Sequence, residues 1–153
     1  MSKLRGFEVA KGFEESGINI PERKTAKSAG YDVEAAEDCV IPPFQFGQKP
    51  TLVKTGLKAY MPENEFLMLC NRSSNPGKKG LILANSVGII DADYYGNLDN
   101  DGVIMYAFYN FFDKALNIKK GDVIGQAIFQ KYFTIDGDAA SGERIGGFGS
   151  TNN

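Results

Sequence analysis

Asp91 and Asp93 stand two places apart in the segment 85–96, NSVGIIDADYYG. On an extended strand, residues i and i+2 share a face, so both carboxylates point the same way. Tyr94 then faces away from them unless the chain turns there. Asp91 is suited to hold a water or a metal ion. An EF-hand loop is excluded, because the place two residues after Asp93 needs an acid or an amide and holds Tyr95. The plainer reading of the segment is a hairpin with surface acids. Arg72-Ser73-Ser74 follows an apolar run, with Lys78, Lys79 and Gly80 close behind. One guanidinium, two hydroxyls and loop amides make a cup for phosphate oxygens. A polar turn with two solvated lysines is the alternative. Near the C-terminus, Arg144 precedes Gly146-Gly147-Phe148-Gly149-Ser150-Thr151. Consecutive amides unencumbered by side chains can wrap phosphate oxygens, and the hydroxyls and Arg144 add donors. A solvated Gly/Ser tail is the alternative, although such a tail gains nothing from Phe148. The run is not a Walker loop, since no Gly-Lys-Ser/Thr follows. The segments 29–33 (AGYDV) and 121–126 (GDVIGQ) each read, taken singly, as a turn entering a strand.

Composition narrows the chemistry. The chain has no histidine and no tryptophan. His-based triads, imidazole bases and His-ligated metals are therefore excluded. Cys39 and Cys70 cannot form a four-cysteine zinc site and make no disulfide framework, which fits a reducing cytoplasm. With 17 Lys and Arg against 19 Asp and Glu, the net charge is −2. Gripping a nucleic-acid backbone wants a basic excess, so an anionic ligand must be met by a local site. The N-terminus, MSKLRGFEV, has no apolar stretch after its basic residues and is no signal peptide. The richest apolar stretch, 103–112 (VIMYAFYNFF), is broken by Asn110 and too short to span a bilayer. No membrane or nucleic-acid partner is expected.

The elements that must position these residues are short strands. The 153 residues suit one domain. Segment 51–60 (TLVKTGLKAY) is β-rich and ends at the turn cluster Met61-Pro62-Glu63-Asn64. A second strand is predicted over 65–71, short apolar runs at 81–85 and 87–90, and long strands over 103–110 and 122–133. The last also fits helical spacing, but Gly121-Asp122 reads as a turn and Gly125 would weaken a helix by about 1 kcal/mol. One helical turn fits 73–79, limited by Pro76-Gly77. Residues 94–102 are turn-rich. Many short strands with regular turns predict an all-β sandwich or barrel. After Asp136 apolar residues are few and glycines frequent, which predicts a β domain over 1–136 and a flexible arm over 137–153.

Taken together in order, five segments resemble the trimeric dUTP diphosphatase (dUTPase) family. It carries Ala-Gly-x-Asp-Leu, Pro-Arg-Ser-Ser, Gly-x-Ile-Asp-x-Asp-Tyr-x-Gly, Gly-Asp-Arg-Ile-x-Gln and a C-terminal Arg…Gly-Gly-Phe-Gly-Ser-Thr arm. Their counterparts here are 29–33, 71–74, 88–96, 121–126 and 144–151. Asn71 replaces the usual Pro, Val123 the usual Arg and Gly125 a common Ala, and Arg144 lies one residue nearer the glycine pair than in many members. The aromatic segment 97–120 is similar to members from Gram-positive bacteria and their phages.

The resemblance implies an all-β, distorted jelly roll of the β-clip type and a homotrimer with shared active sites. It implies Mg2+-dependent hydrolysis of dUTP to dUMP and pyrophosphate, which supplies dUMP for thymidylate synthesis and keeps uracil out of DNA. Asp91 matches the carboxylate that activates the attacking water. Arg72, Ser73, Ser74 and Gln126 match phosphate contacts. Asn85 and the backbone from Gly88 to Ile90 match the hairpin reading uracil, and Tyr94 matches the ring beneath the deoxyribose. Asp32 matches a carboxylate reaching the metal through water. Phe148 matches the residue stacked on uracil, and Arg144, Ser150 and Thr151 the arm's phosphate contacts. Phage-type members add a regulatory protein as a partner class. Two rivals share the scaffold. A dCTP deaminase-like enzyme needs a glutamate where 88–96 offers only Asp. A non-enzymatic nucleotide-sensing regulator is favoured by loss of Asp91 or the arm, and both are present.

Overall fold

The structure, a computed structural model, describes residues 2–147. Strands come in the order β1 (Gly6–Val9), β2 (Tyr31–Glu34), β3 (Cys39–Ile41), β4 (Thr51–Lys54), β5 (Leu57–Tyr60) and β6 (Glu65–Cys70). The five-residue helix α1 (Asn75–Lys79) leads to β7 (Leu81–Leu83), β8 (Gly88–Asp91) and a 3-10 turn, Ala92–Tyr94. β9 (Met105–Asn110), β10 (Leu116–Ile118) and β11 (Val123–Lys131) follow. The strands pair antiparallel in the orders β1-β5, β10-β3, β2-β11-β6-β8 and β4-β9-β7. The all-β expectation holds, and the sheets form the distorted jelly roll. Among the described residues no helix is long and apolar enough to cross a membrane.

The core follows from alternation. In β6, Glu65, Leu67 and Leu69 are buried between half-exposed neighbours, and in β9 Tyr106, Phe108 and Asn110 are. This two-residue period is what a sheet with one buried face requires. The predicted strand over 51–60 divides in two. Thr55 is buried, donates its hydroxyl to the Ile104 carbonyl at 2.8 Å and accepts the Leu57 N–H at 3.1 Å. Gly56 then takes φ +69°, and β4 and β5 enter different sheets.

The 122–133 segment is a strand, β11, held between β2 and β6. Its Gly125 is explained by Tyr106, because a Cβ at 125 would overlap that ring. The buried Tyr106 hydroxyl donates to the Gln126 carbonyl at 2.6 Å. A bulky partner from β9 thus fills the space a methyl group would need.

The helical turn expected near 73–79 is α1, with Pro76 in its first turn, where a missing N–H costs nothing. Gly80 closes it in the left-handed region, φ +67°.

Candidate active site

Asp91 ends β8, an edge strand that among the described residues pairs only with β6. The register sets Gly88 opposite Leu69 and Asp91 opposite Phe66. A Cβ on Gly88 would come within 2.9 Å of the Leu69 Cβ, so glycine permits this approach. The turn from β7 to β8 runs through Ser86 at φ +65°, with the Val87 N–H bonded to the Asn85 carbonyl at 2.7 Å. Asn85, Gly88, Ile90, Asp91, Tyr94 and Arg144 all line one cavity of about 690 Å³.

The chain does turn after Asp91. The strand pattern that put Asp91 and Asp93 on one strand face ends at the 3-10 turn, so Asp93 is not on β8. Both carboxylates nevertheless converge on one cation. Arg144 donates through Nη2 to Asp91 Oδ2 and through Nε to Asp93 Oδ1 at 2.7 Å. A third donor, Nη1, reaches the Gly146 carbonyl at 3.2 Å. Residues 144–147 thus rest on the acids of 91–93, where the sequence had led to an expectation of phosphate contacts for Arg144.

Tyr94 is buried, 3% exposed. Its hydroxyl donates to the Val103 carbonyl at 2.8 Å and accepts from Asn100 Nδ2 at 2.8 Å. Burial pushes the Tyr94 phenol above its ordinary value, opposed by the Asn100 bond and the Arg144 charge. Gly147 sits so close to the ring that a Cβ there would overlap it.

A second group forms at the far end of the same sheet. Gln126 on β11 lies opposite Asp32 on β2 and Cys70 on β6. The Gln126 amide donates to the Asn71 carbonyl at 3.3 Å, and Arg72 Nη1 to the Val123 carbonyl at 3.3 Å. At Val123 the backbone oxygen is what this cluster uses. Asn71 takes over the turn where the resemblance expected Pro. Its Oδ1 accepts from the Arg72 N–H at 2.9 Å and from Asn75 Nδ2 at 2.7 Å, and its Nδ2 donates to the Leu81 carbonyl at 2.9 Å. Buried Asn75 also donates to the Ile124 carbonyl at 2.9 Å. Sequence reasoning missed Asn75 and Asn100 and gave Asn71 no role. The available signal was an Asn pair four residues apart at a helix start.

The two groups do not meet within one chain. Asp91 faces Phe66 and Gln126 faces Cys70, four residues apart along β6. At a rise of 3.2–3.4 Å per residue that is about 13 Å, with two strand spacings, about 10 Å, to cross as well. Asp32 lines a separate cavity of about 330 Å³ with Glu22, Glu34 and Val123. Phe148, Ser150 and Thr151 lie outside the described residues.

Comparison with known proteins finds relatives along most of the chain. The family model described as dUTPase matches residues 16–151. A deoxyuridine 5'-triphosphate nucleotidohydrolase of Lactococcus lactis is 50% identical over 151 residues, spanning 97% of this chain and 98% of that protein. The human mitochondrial protein of the same name is 34% identical over 136 residues, spanning 86% of this chain and 49% of the human one. Among solved structures, a dUTPase from Streptococcus mutans superposes with a TM-score of 0.80 at 42% identity, over 86% of this chain and 99% of that one. A dUTPase of Staphylococcus aureus phage phi11, described with a structural Mg(II) ion, shares the fold, with a TM-score of 0.70 at 19% identity over 92% of this chain and 98% of that one. With a family model over residues 16–151 and a relative 50% identical along nearly the whole chain, the chain belongs to the dUTPase family.

Proposed function

We propose that the protein hydrolyses dUTP to dUMP and pyrophosphate as a homotrimer with sites shared between subunits. The observation carrying this is the place of Asp91, at the end of an edge strand, in one cavity with Asn85, Tyr94 and the β8 backbone. An edge strand presents unpaired N–H and C=O groups in alternation. Uracil's pairing edge presents acceptor, donor and acceptor, which residues 88–90 and Asn85 can meet. Tyr94 lies beneath the deoxyribose and leaves no space for a 2′-hydroxyl.

Asp91 takes a proton from water while the water oxygen bonds to the α-phosphorus. The bond from that phosphorus to the α–β bridging oxygen breaks, and pyrophosphate leaves with the oxygen and the electron pair. A positioned base of this kind contributes about 10²–10⁴-fold. Arg144 holds Asp91 Oδ2 in this structure. Phosphate oxygens compete for its guanidinium, and release of Asp91 lets that oxygen take the proton. Arg72, Ser73, Ser74 and Gln126 meet the phosphates from another subunit. Ser74 stands at the N-cap of α1 without a side-chain cap hydrogen bond, so its hydroxyl is available for this use. Phe148 covers the base, and Ser150 and Thr151 complete the phosphate contacts.

Mg2+ suits these residues. Among the described residues no three ligating side chains cluster, and Mg2+ commonly keeps several waters and takes one or two carboxylates plus phosphates. Asp32, whose carboxylate has no ion pair among the described residues, would hold it through water. Bound there, the ion would neutralise phosphate charge. The free thiols of Cys39 and Cys70 fit a cytoplasmic setting.

The test supplies the full chain with Mg2+ and, separately, dUTP, UTP, dCTP or dTTP, and quantifies pyrophosphate. Release from dUTP and little from the others is expected. Ammonia from dCTP, or dUTP bound without pyrophosphate, would overturn the reading.

A further inference from the structure

Selection against a 2′-hydroxyl by shape is only as strong as the wall that refuses it. A pocket that merely crowds one added hydroxyl discriminates by about 10²-fold, and less if the wall yields. Tyr94 is that wall in the reading above. The ring packs into the core, and its hydroxyl is held by the loop 95–103 that follows it.

The loop holds Tyr94 at both ends. The Tyr94 carbonyl accepts the Asn97 N–H at 3.1 Å. Gly102, at φ +85°, passes so near that carbonyl that no side chain fits. At the far end of the ring, Asn100 Nδ2 donates to the hydroxyl at 2.8 Å, which leaves the hydroxyl proton aimed at the Val103 carbonyl. Asn100 Oδ1 meanwhile accepts the Gly102 N–H at 3.0 Å, which fixes the amide's orientation. The loop is itself anchored to the rest of the fold. Asp101, at φ +61°, accepts from the Lys11 N–H at 2.8 Å and from Lys58 Nζ on β5 at 2.8 Å. A rigid strand therefore holds Asp101, and the next residue back holds the ring.

We propose that Asn100 is a specificity-determining positioning residue, whose amide holds the Tyr94 ring against displacement by a ribose 2′-hydroxyl. This rests on the dUTP reading and on Tyr94 lying beneath the sugar. Asn100 touches no reacting atom and acts through Tyr94.

Asn100→Ser isolates the contact. The shorter side chain can still accept the Gly102 N–H but does not reach the Tyr94 hydroxyl, whereas an aspartate would keep a bond by accepting the hydroxyl proton. The ratio of kcat/KM for dUTP over UTP is measured for the wild type, Asn100→Ser, Tyr94→Phe and the double variant. The wild type must first release pyrophosphate from dUTP; if it does not, the dUTP reading itself fails. Given that activity, the ratio is expected to fall about three- to tenfold in Asn100→Ser, the scale of one hydrogen bond, mainly through better use of UTP. The double variant is expected to match the worse single variant, because both remove the same bond. A wild-type ratio in Asn100→Ser, or losses that multiply in the double variant, would overturn the proposal. A general structural defect would lower both substrates alike and leave the ratio unchanged, and that outcome also counts against it. Asn100→Ala carries the same comparison if the Ser variant does not fold.

Discussion

Asp91 has one carboxylate oxygen engaged by Arg144, and the neighbouring Asp93 shares that cation. Asp91→Asn preserves the shape of the site but removes the proton acceptor. Turnover of dUTP is expected to fall by at least about 10²-fold, while a non-hydrolysable dUTP analogue still binds. Full activity in this variant would mean that another group activates the water. A carboxylate as the candidate base was legible in the sequence, because the chain has no histidine. That Arg144 binds the acids was not legible. The pairing joins positions 51 and 53 residues apart, and local spacing carries no record of it.

At the scale of elements, β8 carries Asp91 and the C-terminal segment brings Arg144 against it. Residues 137–147 contain no strand or helix, yet Gly146 is buried and Gly147 rests on Tyr94. Truncation after Asp136 removes Arg144 and the hydroxyl donors beyond it, each charge-assisted bond worth about 1.5–3 kcal/mol. None of the strands is touched. Circular dichroism and the number of subunits should match those of the full chain, while pyrophosphate release from dUTP is largely lost. Wild-type turnover by the truncated protein would remove the arm from the mechanism. Long strands such as β6 and β11 were readable from alternation and flanking turns. The break at Thr55 and Gly56 was not, because it depends on a hydroxyl bonding a carbonyl 49 residues away. The short strands β3 and β10 are three residues each, too brief to show a period, and exist through their pairing with each other.

At the scale of the whole molecule, the proposed joining of Asp91 with Gln126 and Arg72 in one site needs a second copy, because the two groups lie far apart within one chain. Light scattering at micromolar concentration is expected to give three times the 16.7 kDa chain mass. A monomer mass with full activity would sink the shared site. Stability should also carry an acid signature. Buried Glu65 accepts from Arg5 at 2.9 and 2.6 Å, and this hydrogen bond holds its carboxyl below the usual range, against the opposing effect of burial. A depressed folded value means the pair stabilises above the ordinary carboxylate range, near pH 4.3, and that the contribution is lost as pH falls through the lower folded value. The urea midpoint of Arg5→Gln should lie below wild type at pH 7, and the gap should narrow on acidification below about pH 4. A gap that stays constant with pH would assign Arg5 a packing role alone.

Residue identity and order were enough to give the all-β class, the helical turn that became α1 and the carboxylate at 91. These follow from residue type, period and turn chemistry, which act over a few neighbours. Tertiary packing was needed to put Asp91 and the Gln126 cluster at opposite ends of one sheet, to let Tyr106 exclude any side chain at 125, and to make Asn71, Asn75 and Asn100 hold the loops. Those outcomes depend on register and on which strands pair. Both are set by burial of a common core among residues far apart in the chain.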